Sequence, residues 1–150
     1  MKKFFLSAII LFAGFNLFAQ QYEYAIVTTI ESIVPGGMGR SRMLCVRENV
    51  DYKNFTTSRT KGKDSKQGDV DRSEIKIDAF DETKLLNFFS LVGINFQNIA
   101  SNDAVVASKL NSMAVEGWEL AFVSSAVESD AGKQDGDGIF ITRYVFKRKK

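Results

Sequence analysis

The stretch Asp103 to Val127, DAVVASKLNSMAVEGWELAFVSSAV, decides the fold. Its first half places Val106, Leu110 and Met113 on one side at spacings of four and three, with Val105 beside them. That is the pattern of a helix with one apolar stripe, read over Asp103 to Glu116. Ser101 or Asn102 is placed to cap it, and Asp103 in the first turn suits the helix dipole. Gly117 falls where a left-handed residue ends a helix. From Trp118 the period changes to two, and Trp118 to Val127 reads as a strand.

Downstream, Glu128 to Gly138 holds turn residues, and Ile139 to Arg148 alternates as a last strand that pairs with Trp118–Val127 as a hairpin. Upstream, Tyr22 to Ser32 reads as a strand rich in tyrosine and β-branched residues. Pro35, Gly36, Gly37 and Gly39 make a turn into a second strand, Arg40 to Arg47. Residues 48–73 form a long polar loop. Ile75, Ile77 and Ala79 alternate within a short third strand, Glu74 to Phe80. Asp81 caps a helix over Glu82 to Leu91, which Gly93 ends. The order predicts an α+β domain: an antiparallel β-sheet of four to five strands with one or two helices packed on a face.

Period two sets Trp118, Leu120 and Phe122 together, and Phe140, Tyr144 and Phe146 together. The opposite faces hold Ala121 and Val123, and Ile139, Ile141 and Val145. Both sides of the sheet are therefore apolar, and one helix layer covers one side. Either the Leu85–Ile99 segment covers the other, or a sheet face is left for self-association.

The first nineteen residues read as a secretory signal. Lys2 and Lys3 precede an apolar run, Phe4 to Phe18, and Ala19 closes it before Gln20. The alternative is an uncleaved N-terminal anchor, although the run falls short of the ~20 residues a spanning helix needs. A single α+β domain over 20–150 would remain, exported to the periplasm or beyond, with no stable membrane span after cleavage. Losing Lys2 and Lys3 takes the basic residues from 20 to 18, against 18 acidic ones. A neutral chain lacks the cation surplus of a nucleic-acid binder.

The chain has one cysteine and no histidine. Cys45 cannot form an internal disulfide and reads as a buried apolar residue, with intermolecular pairing as the alternative. Absence of histidine removes Ser-His-Asp and Cys-His nucleophiles and imidazole metal ligands. No glycine pattern for phosphate or dinucleotide binding occurs. Three features remain. Arg40 and Arg42 share a strand face and are candidates for gripping a carboxylate or phosphate, against a plain solvated face. Asp130, Asp135 and Asp137 offer oxygens for calcium, but their spacing fits a hairpin turn better than a calcium loop. Glu119 reads as a cross-strand partner of Arg143 or Lys147 rather than a general acid. Neither a cofactor nor a metal is implied.

Leu110-Asn111, Glu116-Gly117-Trp118-Glu119-Leu120 and Thr142-Arg143-Tyr144-Val145-Phe146-Lys147-Arg148, with Tyr22, Tyr24, Ile26 and Val27, resemble a small bacterial domain family of unknown function. The likeness covers the first strand and residues 101–148. Residues 39–100 form an insertion relative to the minimal family, and Gly39–Arg42 and Phe88–Phe96 look like an exported branch of Bacteroidota type. The resemblance implies a compact antiparallel sheet with one helix and no assigned reaction. Gly117, Trp118, Glu119, Leu120 and Tyr144 are then scaffold, with Trp118 packed on the helix end near Met113 and Ala114 rather than stacking a ligand. Two expectations follow. The first is a non-catalytic binding or assembly module that meets a second copy or an envelope protein through a sheet face. The second is a hydrolase or sugar-processing enzyme using carboxylates and arginines beside the 48–73 loop.

Overall fold

The computed structural model describes residues 21–36, 40–46, 48–63, 65–129 and 138–150. The signal-like segment, Gly37, Gly39, Arg47 and the acidic stretch with Asp130, Asp135 and Asp137, expected as a turn, lie outside them. The architecture is α+β, as the sequence predicts. One antiparallel sheet is built from β1 (Tyr22–Ser32), β2 (Arg42–Val46), β3 (Phe80–Lys84), β6 (Glu119–Glu128) and β7 (Ile139–Lys149), in the order β3-β2-β1-β7-β6. A two-stranded hairpin, β4 (Phe89–Ser90) and β5 (Gly93–Ile94), stands apart. A short helical turn, α1 (Arg72–Ile75), precedes β3, and one long helix, α2 (Phe96–Val115), follows β5. Among the described residues no helix is long and apolar enough to cross a membrane.

The core lies between α2 and one face of the sheet. Val27, Met43, Leu85, Met113 and Phe146 are its fully buried apolar residues, with Ala25, Cys45, Val105, Leu110, Trp118 and Tyr144 packed against them. Residues directly opposite in an antiparallel ladder share a face. Val27 lies opposite both Cys45 and Tyr144, and Ala25 opposite Phe146. Cys45 is a free thiol, half-buried in this layer.

Three expected elements differ. The segment expected as a strand from Glu74 begins as α1, because the Asp71 carboxylate caps it by accepting from Ser73 N at 2.8 Å. The helix expected over Glu82–Leu91 is instead edge strand β3 followed by the β4–β5 hairpin. β2 takes residues 80–84 as its outer partner, with Asp81 opposite Cys45, and tertiary pairing overrides local propensity. Gly93, at φ +124°, serves the hairpin rather than a helix end. The long helix starts at Phe96, seven residues before the expected Asp103, because Asn95 caps it by accepting from Asn98 N.

The final hairpin forms in the expected place, with one change of face. A bulge between Leu120 and Phe122 inserts an extra residue into β6. Leu120 stays opposite Phe146 on the helix side. Beyond the bulge Phe122 lies opposite Val145, and Val123 opposite Tyr144. Phe122 thus moves to the side away from the helix, and Val123 takes the place beneath it.

Candidate protein-interaction surface

The side of the sheet facing away from α2 carries exposed apolar residues among the described residues, crossed by a polar row of Glu82, Thr28, Arg143 and Ser124. Alternation on β1 brings Tyr24, Ile26, Thr28 and Ile30 to it. The ladders add Leu44 and Val46 from β2, Phe80 from β3, Ile141 and Val145 from β7, and Phe122 from β6. Tyr24 is 65% exposed, Ile26 and Val46 50%, and Phe122 58%. An open hollow of about 990 Å³ runs across this face, lined by the apolar Tyr24, Ile26, Leu44 and Val46 and by the charged Glu48, Arg143 and Lys150.

The Leu85–Ile99 segment, expected as a possible cover, closes the end of the molecule instead. Leu85 N donates to Ser41 O, and Phe88 N to Ser32 O. Ser41 Oγ accepts from Ser32 N at 2.9 Å and donates to Asn87 Oδ1 at 2.8 Å. Asn102 completes the attachment. This buried residue of α2 accepts from Leu86 N at 2.8 Å through Oδ1. Its Nδ2 donates to Leu86 O and to Glu31 Oε1, each at 2.7 Å. Both main-chain groups of Leu86 are therefore satisfied by one side chain, which fixes 85–87 extended against the helix.

The arginines expected as ligands, Arg40 and Arg42, lie just before and at the start of β2. Arg40 lies half-buried in the connection before β2. Arg42 opens β2 on the uncovered face and is ion-paired with Glu82 at 2.8 Å. The cavity beside that pair, about 300 Å³, is lined by Ser41, Arg42, Glu82, Thr83 and Lys84. Two groups with displaced titration lie on the other side of the sheet. Burial, supported by nearby Asp103 and opposed by the Asn102 hydrogen bond, holds the Glu31 carboxyl above the usual carboxylate range. Burial likewise raises the Tyr144 hydroxyl. The sheet separates Glu31 from Arg42, so these groups do not converge on one site. Among the described residues no three His, Cys, Asp or Glu side chains gather as a metal site.

The conspicuous residues Gly117 to Leu120 serve packing. Gly117 adopts φ +84°. Trp118 N donates to Met113 O at 2.9 Å, and the indole is half-buried against the core. Its edge borders the hollow, but Arg148 lies over the ring at 4.3 Å. Glu119 pairs with Lys147 at 3.4 Å, one of the two partners expected for it. Tyr144 packs beneath the helix. Sequence reasoning missed Arg148 and Asn102. Arg148 stands among Lys147, Lys149 and Lys150, where charge signals only a solvated strand end, and Asn102 at a helix start signals a cap rather than a buried connector.

No known protein family matches this chain, nor does any curated protein or solved structure.

Proposed function

We propose that the protein is an exported binding or assembly module that meets another protein through the uncovered face of its sheet. The apolar character of that face carries the reading. The largest apolar patch on a typical monomer is roughly 300–600 Å² and is often functional. Taking a full aromatic side chain as roughly 200 Å², Tyr24, Ile26, Val46, Phe80 and Phe122 together expose on the order of 500 Å². A standard interface buries about 800 Å² per partner. The half-buried Val145 and Leu44 adjoin that area, whereas Ile30 and Ile141 lie beyond the polar row of Thr28 and Arg143. The rim carries both signs, Arg42 with Glu82 and Lys147 with Glu119, which is the usual border of an apolar contact.

Export supports the same reading. A signal segment of the kind read in residues 1–19 would deliver a neutral domain to the envelope, where proteins are the natural partners of such a face. The likeness of Tyr22–Val27 and of residues 101–148 to a small bacterial domain family of unknown function agrees with a scaffold whose recurrent residues hold the fold. No cofactor enters this reading, and neither does nucleic acid.

The test is position-resolved photo-crosslinking in cells exporting the protein. A photoreactive residue at Ile26 is expected to give protein adducts, whereas one at the exposed Ala107 of α2 gives none. Absence of adducts from position 26, or equal adducts from both positions, contradicts the proposal.

A further inference from the structure

The sheet ends on two edges of opposite character. β3 carries Asp81, Glu82 and Lys84 within five residues. Charges on an edge strand oppose pairing with another chain. β6 is ten residues long and exposed throughout, and its only charges are Glu119 and Glu128 at its two ends. The bulge disturbs pairing near its start, between Leu120 and Phe122. From Phe122 to Val127 the strand runs on with no proline, glycine or charge. Among the described residues no strand pairs with its outer side. A long apolar edge with free main-chain donors and acceptors is a template for a further strand.

We propose that β6 pairs antiparallel with β6 of a second copy about a two-fold axis at Ser124, joining two sheets into one of ten strands. Strands join without inverting a face only where residues of the same face meet. With Ser124 opposite its own counterpart, Phe122 meets Ala126 on the uncovered face and Val123 meets Ser125 on the helix side. A large side chain lies against a small one in both pairs. A slip of one residue would set Glu119 against Glu128 and join opposite faces, so charge and face both reject it. The contact is isologous, as a closed dimer requires. It stands on the edge alone and is independent of what covers the face, although it would make the two apolar faces continuous.

The experiment uses the purified protein with Cys45→Ala, given a single cysteine and a mild chemical oxidant. Directly opposite residues have Cβ atoms roughly 4.5–5.5 Å apart, within the reach of a disulfide, so Ser124→Cys is expected to give a covalent dimer. Val127→Cys lies six residues from its own counterpart in this register, about 20 Å at ~3.3 Å per residue, and is expected to remain monomeric. Adding Ala126→Lys to Ser124→Cys places a charge opposite Phe122 on each side of the axis and is expected to cut the dimer yield at least fivefold. Adding Ile26→Asp and Val46→Asp instead is expected to leave the yield unchanged. No dimer from Ser124→Cys, equal dimer from Val127→Cys, or a yield that resists Ala126→Lys overturns the proposal. Loss of the dimer on changing the face would place the contact there, and would overturn edge pairing while leaving the face reading intact.

Discussion

The Arg148 guanidinium lies 4.3 Å from the centre of the Trp118 ring. Its Nη1 also donates to Glu116 O at 2.9 Å, and its Nε donates to Glu23 Oε1 at 2.7 Å. One side chain from the end of β7 thereby ties together the last turn of α2, the entry to β6 and the start of β1. A planar, permanently charged fork can stack and donate in several directions at once, which an ammonium cannot. Arg148→Lys is expected to cost about 1–2 kcal/mol, combining a lost stack with weakened charge-assisted bonds. Urea unfolding followed by fluorescence of Trp118 measures it, and an unchanged midpoint contradicts this role.

Gly117 makes the reversal that Arg148 then fastens. An added Cβ meets only Arg148 Cδ at 3.5 Å, so space is not the constraint. The constraint is φ +84°, in the left-handed region. Gly117→Ala is expected to cost about 1–2 kcal/mol, and Gly117→Asn less, since asparagine tolerates this conformation better. Thermal unfolding of the two variants checks the order.

These residues show what the sequence made legible. Helix stripe, glycine and strand follow one another between Val105 and Val127, and each local signal agrees with the packing. The same holds for β1, β2 and β7, where alternation is regular. Legibility failed between Glu74 and Asn102, where local preference and tertiary pairing diverge. Leu85, Leu86, Phe88 and Phe89 suit a helix as well as they suit an extended chain. What decides against the helix is remote: β2 takes residues 80–84 as its outer partner, and Asn102 takes both main-chain groups of Leu86. The bulge after Leu120 carries no residue signature either, and one extra residue there moved Phe122 to the opposite face. The interaction surface was legible only as a surplus, two apolar faces with cover for one.

Asn102 is the test of that remote control. Asn102→Ala leaves Leu86 N and Leu86 O without partners in a half-buried setting and releases Glu31. A loss of about 2–4 kcal/mol is expected, the cost of stranding two main-chain groups and a charged acceptor. Amide hydrogen exchange should rise most at 85–88. Exchange that rises uniformly over the domain would contradict a local attachment.

Glu31 supplies a pH signature. Its carboxyl is raised in the folded state, chiefly by burial, so the folded protein binds this proton more tightly than the unfolded chain. The associated stability is fully present below the ordinary glutamate value and is lost as pH rises through the folded one. Glu31→Gln keeps an oxygen for Asn102 Nδ2 and removes the ionisation. The variant is expected to gain on the parent as pH rises from 4 to 7, read as the difference in urea midpoint. A difference that stays constant or shrinks over that range contradicts the assignment.

The central claim is that the face bearing Ile26 and Val46 belongs to an interface and not to the core of the folded chain. Ile26→Asp with Val46→Asp tests it in one preparation, by thermal unfolding of the purified protein and by crosslinking in cells from a photoreactive residue at neighbouring Tyr24. The account predicts an unfolding temperature within a few degrees of the parent and loss of the Tyr24 adducts. Collapse of the fold, or adducts that survive both aspartates, would contradict it.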